Sequence, residues 1–236
     1  ICTIVGLHAC SLDEQLGSAL TKSQADSVVK VPSLLKGAYD NLQRPYQDFE
    51  YSWGMSEMSS DEAVAPTRAG DWDDNGVWRS LKLHAWTPDH LHVGRTFTDL
   101  LTLQFSATNV LNFNPNDNQA AQARFLRALS MFTVVDLYGQ VPFRNPKDTL
   151  LNAPRVMKAA EAIDFIISEL TDIMKDLGDR PATPAYEANK DAARFLLMKC
   201  YLNKGAFLNR ESPAFDAADM QKVIDLADEI TATGTY

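Results

Sequence analysis

The chain has 236 residues, with 22 basic and 31 acidic side chains and a net charge of −9. That length suits one large domain or two small ones. The acidic balance excludes a nucleic-acid binder, which needs a basic stripe to neutralise phosphates. Three cysteines, Cys2, Cys10 and Cys200, do not make a disulfide framework.

The first ten residues, ICTIVGLHAC, are apolar and too short to span a bilayer. They read as the end of a signal-peptide core. Leu7, His8 and Ala9 before Cys10 resemble a bacterial lipoprotein cleavage site, with His8 an unusual member. On that reading residues 1–10 are the end of the signal and Cys10 is the lipidated residue. Residues 11–31 are polar, as a tether should be, although Thr21 to Gln24 (TKSQ) has the form of a capping box. The chain begins with Ile1 and stops within helix-like sequence, which reads as a piece cut from a longer protein.

Leu34, Leu35, Ala38 and Leu42 recur at helical spacing and predict a helix over 33–44. Residues 52–78 carry Gly54, Pro66, Gly70 and Gly76 among many Asp and Ser. A stretch of that length without regular structure tends to be functional.

From about residue 88 the chain reads as helix after helix, with Pro88 suited to a first turn. Leu100, Leu103, Ala107 and Leu111 define one apolar stripe. Phe125, Leu129, Phe132 and Val135 define another, ending at Gly139 as a C-terminal cap. Ala160 to Leu177 predict a helix over 155–177 that Gly178 closes, and 188–204 and 217–232 give two more. Strand-like alternation is scarce, so the fold class is mainly α. Cys200 lies in a helical pattern as a small buried hydrophobe.

A repeat is also present. ARFLRALSMF begins at Ala123 and ARFLLMKCYL at Ala193, 70 residues on. That is about twice the 34-residue tetratricopeptide period. Such units stack so that neighbours bury one another's apolar faces.

The chemistry-bearing motifs are few. DWDDNG (71–76) places Asp71, Asp73 and Asn75 at alternate positions before Gly76, as a calcium loop begins. The twelfth position, where a bidentate Glu is needed, is Lys82, and Trp72 and Trp78 fall inside the span. GMSEM (54–58) lacks the last glycine of a nucleophile elbow. No phosphate loop or dinucleotide fingerprint is present. His90 and His92 are two apart, which is poor metal spacing, so capping or solvated histidines are expected. Asp61–Glu62 could serve as an acid/base pair, but adjacent residues normally point apart. The sequence implies no cofactor, no metal and no catalytic residue.

Together SDEAVAPTRAGDWDDNGVW (60–78), HAWTPD (84–89), AQARFLRALSMFTVVDLYGQVPF (121–143) and the closing ARFLLMKCYLNKGAF with ADEITATGTY resemble the SusD/RagB family. The LYG-x-VP segment is the most specific. Two departures stand out: family members are longer than this chain, and LHVGRTFTD (91–99) has Phe97 and no Trp.

The resemblance implies the N-terminal portion of an outer-membrane lipoprotein, on the cell surface, over residues 32–236. It implies tetratricopeptide-like helical pairs with long irregular loops. It further implies non-catalytic binding of a glycan or other nutrient, an oligosaccharide or polysaccharide, delivered to a SusC-type TonB-dependent transporter. The lipid anchor then holds a protein that has no membrane span.

On that reading the DWDDNGVW loop is for ligand. A Trp ring stacks on the apolar face of a sugar, while Asp, Asn and Arg hydrogen-bond its hydroxyls. The candidates are Trp72 or Trp78 as platform, and Asp71, Asp73, Asn75 or Arg68 as polar contacts. The alternative is that both Trp rings are buried and pin the loop to the helices. Two other readings of the whole chain are a tetratricopeptide-type adaptor binding protein segments, and a hydrolase using acids of the 57–74 loop.

Overall fold

The computed structural model describes residues 30–66, 70–148, 151 and 153–235. Helix α1 (Val31–Asp40) has Pro in its first turn, and it buries Leu35 and Ala38. Its outer face carries the Lys36–Asp40 ion pair at 2.7 Å. The expected helix over 33–44 breaks at Asn41 and Leu42, and a short α2 (Gln43–Gln47) follows. The break lets Tyr46 reach across the molecule, its hydroxyl within 2.8 Å of Thr133 Oγ1.

Helix α3 (Ser52–Ser59) sits inside the 52–78 stretch expected to be irregular and helix α4 (Val77–Lys82) begins at its end, so the stretch is only partly irregular. Helix α5 (Leu91–Val110) starts later than Pro88 suggests. The His90 ring accepts from the Val93 N–H at 3.4 Å and caps the helix there, while Pro88 remains in the preceding turn.

Helix α6 (Asp117–Tyr138) opens with a capping box between Asn116 and Gln119 and stops at Gly139, which is left-handed at φ 74°. Both features satisfy backbone groups that a helix end leaves free. A two-stranded antiparallel hairpin follows, β1 (Gln140–Phe143) with β2 (Arg155–Lys158), pairing Val141 with Met157. β2 takes the residues expected to begin the next helix, so α7 runs only from Ala159 to Ile173. Helices α8 (Lys190–Leu208) and α9 (Ala217–Ala232) are capped by Asn189 and Asp216.

Each of α5 to α8 packs on its successor, and α6 also touches α8. Leu100, Leu103, Leu126, Met131, Ile163, Ile166 and Leu170 lie at the centre of one continuous core. Cys200 is buried in it, which pushes its thiol up to about 12.

The repeat is visible in three dimensions. Arg124 on α6 holds Glu169 and Asp172 on α7, at 2.7 and 2.6 Å. Arg194, its equivalent on α8, holds Glu229 on α9 at 2.7 Å. Among the described residues, no helix is long and apolar enough to cross a membrane.

Candidate ligand-binding loop

The loop before α4 is bound down by its own acids. The Asp74 carboxylate accepts from the Trp78 indole N–H at 3.0 Å. Asp73 accepts from the Arg79 guanidinium at 2.6 Å. These contacts hold a backbone that few residues adopt: Trp72, Asp74, Asn75 and Gly76 have φ of 60°, 40°, 56° and 79°. For residues other than Gly such values cost on the order of 1–3 kcal/mol each, and such strain clusters at ligand clamps.

The two tryptophans part company. Trp78 is 3% exposed and packs with Met55 and Leu81. It stacks on the His92 ring at 4.3 Å and lies nearly parallel to Phe49 at 6.1 Å. It therefore pins the loop to α5 and has no free face of useful size. Trp72 is 49% exposed, leaning on Phe49 at 5.7 Å and on Trp78 at 6.2 Å. Of the candidate platforms, Trp72 is the one with surface to offer.

The polar candidates divide in the same way. Asp73 is committed to Arg79, whereas the side chains of Asp71 and Asn75 are exposed and have no hydrogen bond among the described residues. Arg68 lies outside the described residues, as does Cys10 with the expected signal and most of the expected tether.

Gly54 makes the packing possible. A Cβ on it would stand 1.9 Å from the Phe49 carbonyl oxygen and 3.5 Å from the Trp78 ring. So the backbone before α3 can run directly over the helix, and Phe49 is set beside Trp72.

The SDE segment is tied to the same unit. Lys82 Nζ donates to the Ser60 carbonyl at 2.8 Å and to the Asp61 carboxylate at 3.0 Å. This ion pair holds Asp61 below the usual carboxylate range, so it stays ionised and is a poor proton donor. His84 Nε2 lies 2.6 Å from the Ser59 carbonyl. Lys82 is thus a brace where a calcium loop would need a ligand, and among the described residues no group of three His, Cys, Asp or Glu could hold a metal. His90 is a cap, as the sequence suggests, but His92 is buried against Trp78, and burial lowers its pKa.

Phe49, Trp53 and Trp86 are large exposed aromatics of the same region that spacing alone did not single out. Trp86 sits beside His84, ring centres 5.4 Å apart, on the turn following α4. Its signal was available in HAWTPD, an aromatic among turn formers where no helical stripe needs one.

Paired helices carrying a braced, aromatic surface loop define a helical-repeat scaffold. No protein-family model matches the chain. It is 33% identical over 185 residues to the starch-binding protein SusD of Bacteroides thetaiotaomicron, a match covering 76% of this chain and 32% of that one.

Two solved structures share the fold. A SusD-like carbohydrate-binding protein from Bacteroides fragilis superposes with a TM-score of 0.66 at 21% identity, over 86% of this chain and 40% of that chain. A laminarin-binding SusD-like protein gives 0.65 at 16% identity, over 85% and 42%. The chain shares the fold of the SusD-like proteins, and it spans about a third of the starch-binding relative's length.

Proposed function

We propose that the protein binds neutral glycan chains at the bacterial surface without altering them, and that Trp72 is the stacking platform. Asp71 and Asn75 supply hydroxyl contacts, and Arg68 completes them from outside the described residues. Asp73, Asp74 and Trp78 brace the loop. The observation that carries this reading is the division of labour within DWDDNGVW. Two acids and one Trp are consumed in holding a strained loop, while Trp72, Asp71 and Asn75 are left facing solvent. A merely structural turn has no need of a half-exposed Trp at positive φ.

The relatives support the ligand class: one is a starch-binding protein, one a laminarin-binding protein, and a further structural neighbour is a surface glycan-binding protein of Bacteroides uniformis. On this reading Cys10 carries the lipid anchor, residues 11–31 form the tether, and residues 32–236 form part of a unit that hands its ligand to a SusC-type TonB-dependent transporter at the outer membrane.

The test is the affinity of the full-length protein for starch and laminarin oligosaccharides. Trp72→Ala is expected to weaken the bound glycan about tenfold, or ~1.4 kcal/mol, with Trp72→Phe retaining part of the affinity. An unchanged affinity in Trp72→Ala rejects the platform.

A further inference from the structure

A second ligand-sized depression lies away from this loop. It is a groove of about 820 Å3 between α1, α2, the start of α6 and the turn at 184–188. Ligand sites in proteins fall in this size range. The two places sit towards opposite ends of one helix. Gln119 near the start of α6 lines the groove, and Leu137 near its end packs in the Trp78 cluster. Eighteen residues of helix separate them by roughly 27 Å.

The lining has an unusual chemistry. Six of its side chains are amides, contributed by α2 and by the start of α6. Gln43 and Gln47, one helical turn apart on α2, are exposed and have no side-chain hydrogen bond among the described residues. The Tyr186 ring stands 79% exposed at the rim. Opposite, the Tyr39 ring is fixed: its hydroxyl donates to Gln122 Oε1 at 2.7 Å and accepts from the Ala188 N–H at 2.8 Å. The floor is apolar, from Pro32, Leu35 and Leu42.

Each of these features selects among ligands. An amide offers a donor and an acceptor on one group, which matches a hydroxyl. Aromatic rings at a rim match the C–H face of a sugar ring. Among the described residues the one lining cation, Lys36, is already paired with Asp40, leaving Glu187 as the unpaired charge, so an anionic ligand is disfavoured. No strand borders the groove, so a peptide has no sheet edge to extend.

We propose that this groove is a second carbohydrate site, taking a neutral polysaccharide chain, with Tyr186 as its platform and Gln43 and Gln47 as its hydroxyl contacts. The site is separate from the Trp72 loop, and a chain long enough to reach both gains avidity from simultaneous engagement.

Affinity electrophoresis of the full-length protein through native gels containing starch, laminarin, galactomannan or xylan tests it. The variants are Tyr186→Ala, the pair Gln43→Ala with Gln47→Ala, and Trp72→Ala; all four positions are exposed. Far-UV circular dichroism checks that each variant is folded. For a polysaccharide that retards the wild type, Tyr186→Ala and the glutamine pair are each expected to raise the apparent dissociation constant about threefold or more. Trp72→Ala combined with Tyr186→Ala is expected to abolish retardation.

If Tyr186→Ala and the glutamine pair migrate as wild type while Trp72→Ala does not, the groove is not a carbohydrate site and the loop reading stands. If the groove variants act and Trp72→Ala does not, the groove stands and the loop platform falls. Retardation by none of the four polysaccharides rejects both. Loss of a co-purifying membrane protein in Tyr186→Ala, with retardation intact, makes the groove a protein contact and overturns the proposal.

Discussion

Phe132 on α6 meets Phe207 on α8 edge-on, ring centres 5.6 Å apart at 88°. This is the joint between two helical pairs. Its consequence for stability is specific. Phe132→Ala or Phe207→Ala should each cost about 3 kcal/mol or more by deleting a buried ring. A double-mutant cycle in urea should return a coupling of about 0.5–1.5 kcal/mol for the edge-on pair. Strict additivity would mean that the pairs are not joined through these rings.

Gly54→Ala should disorder the loop from outside it, by driving the Phe49 backbone away. The added methyl would lie 1.9 Å from the backbone oxygen of Phe49, which cannot swing aside as a flexible side chain does. The expected loss is about 1–3 kcal/mol. Tryptophan emission should shift to the red as Trp78 gains water, and glycan affinity should fall with it. A variant with wild-type emission and affinity would show that the Phe49 backbone does not constrain the loop.

Acid should loosen the first helical pair. Burial raises the pKa of Glu169, but Arg124 and Arg127 outweigh it and hold the carboxyl below its usual value. A group depressed in the folded state stabilises above its unfolded pKa of about 4.3, and that stability is lost as pH falls through the lower folded value. Arg127 and Glu169 are both largely buried, so removing one charge leaves the other uncompensated. Glu169→Gln is expected to cost about 3–5 kcal/mol near pH 7. It should also flatten the decline in stability below about pH 4.3. Denaturant midpoints of both proteins from pH 7 down to pH 3 decide this.

Anchoring and delivery can be read in cells. Cys10→Ala should release the full-length protein from the outer-membrane fraction and stop incorporation of labelled palmitate. Purification of the wild type in detergent should bring with it a TonB-dependent transporter in near-equal amount. Soluble partners in place of a transporter would favour the adaptor reading.

The long helices were legible because their signals are local and redundant. α6 has an apolar stripe, a capping box at Asn116 and Gln119, and a terminal Gly139. The end points of α9 coincide with those read from its periodicity. The hairpin was not legible. QVPF and RVMK are too short to show a period, and they are held by distant groups: Gln104 donates to the Pro142 carbonyl at 2.6 Å, and Phe143 packs on Phe165 at 4.8 Å.

The same limit applied at the loop. Trp72 and Trp78 are chemically alike and six residues apart, so composition placed both among the candidates. What separates them is Gly54, Phe49 and His92, which arrive from other elements. Asp73 and Asn75 were equivalent on paper too, until Arg79 took one of them.

Tyr39 has a bearing on how the molecule comes together. Its hydroxyl receives the backbone N–H of Ala188, a residue 149 positions further along the chain. Helix α1 packs on α5 and α6, and this hydrogen bond ties it as well to the turn before α8. Contacts of such sequence separation are slow to form because a long loop must close before they reward it. Closure of this 149-residue separation is therefore expected to come late in folding.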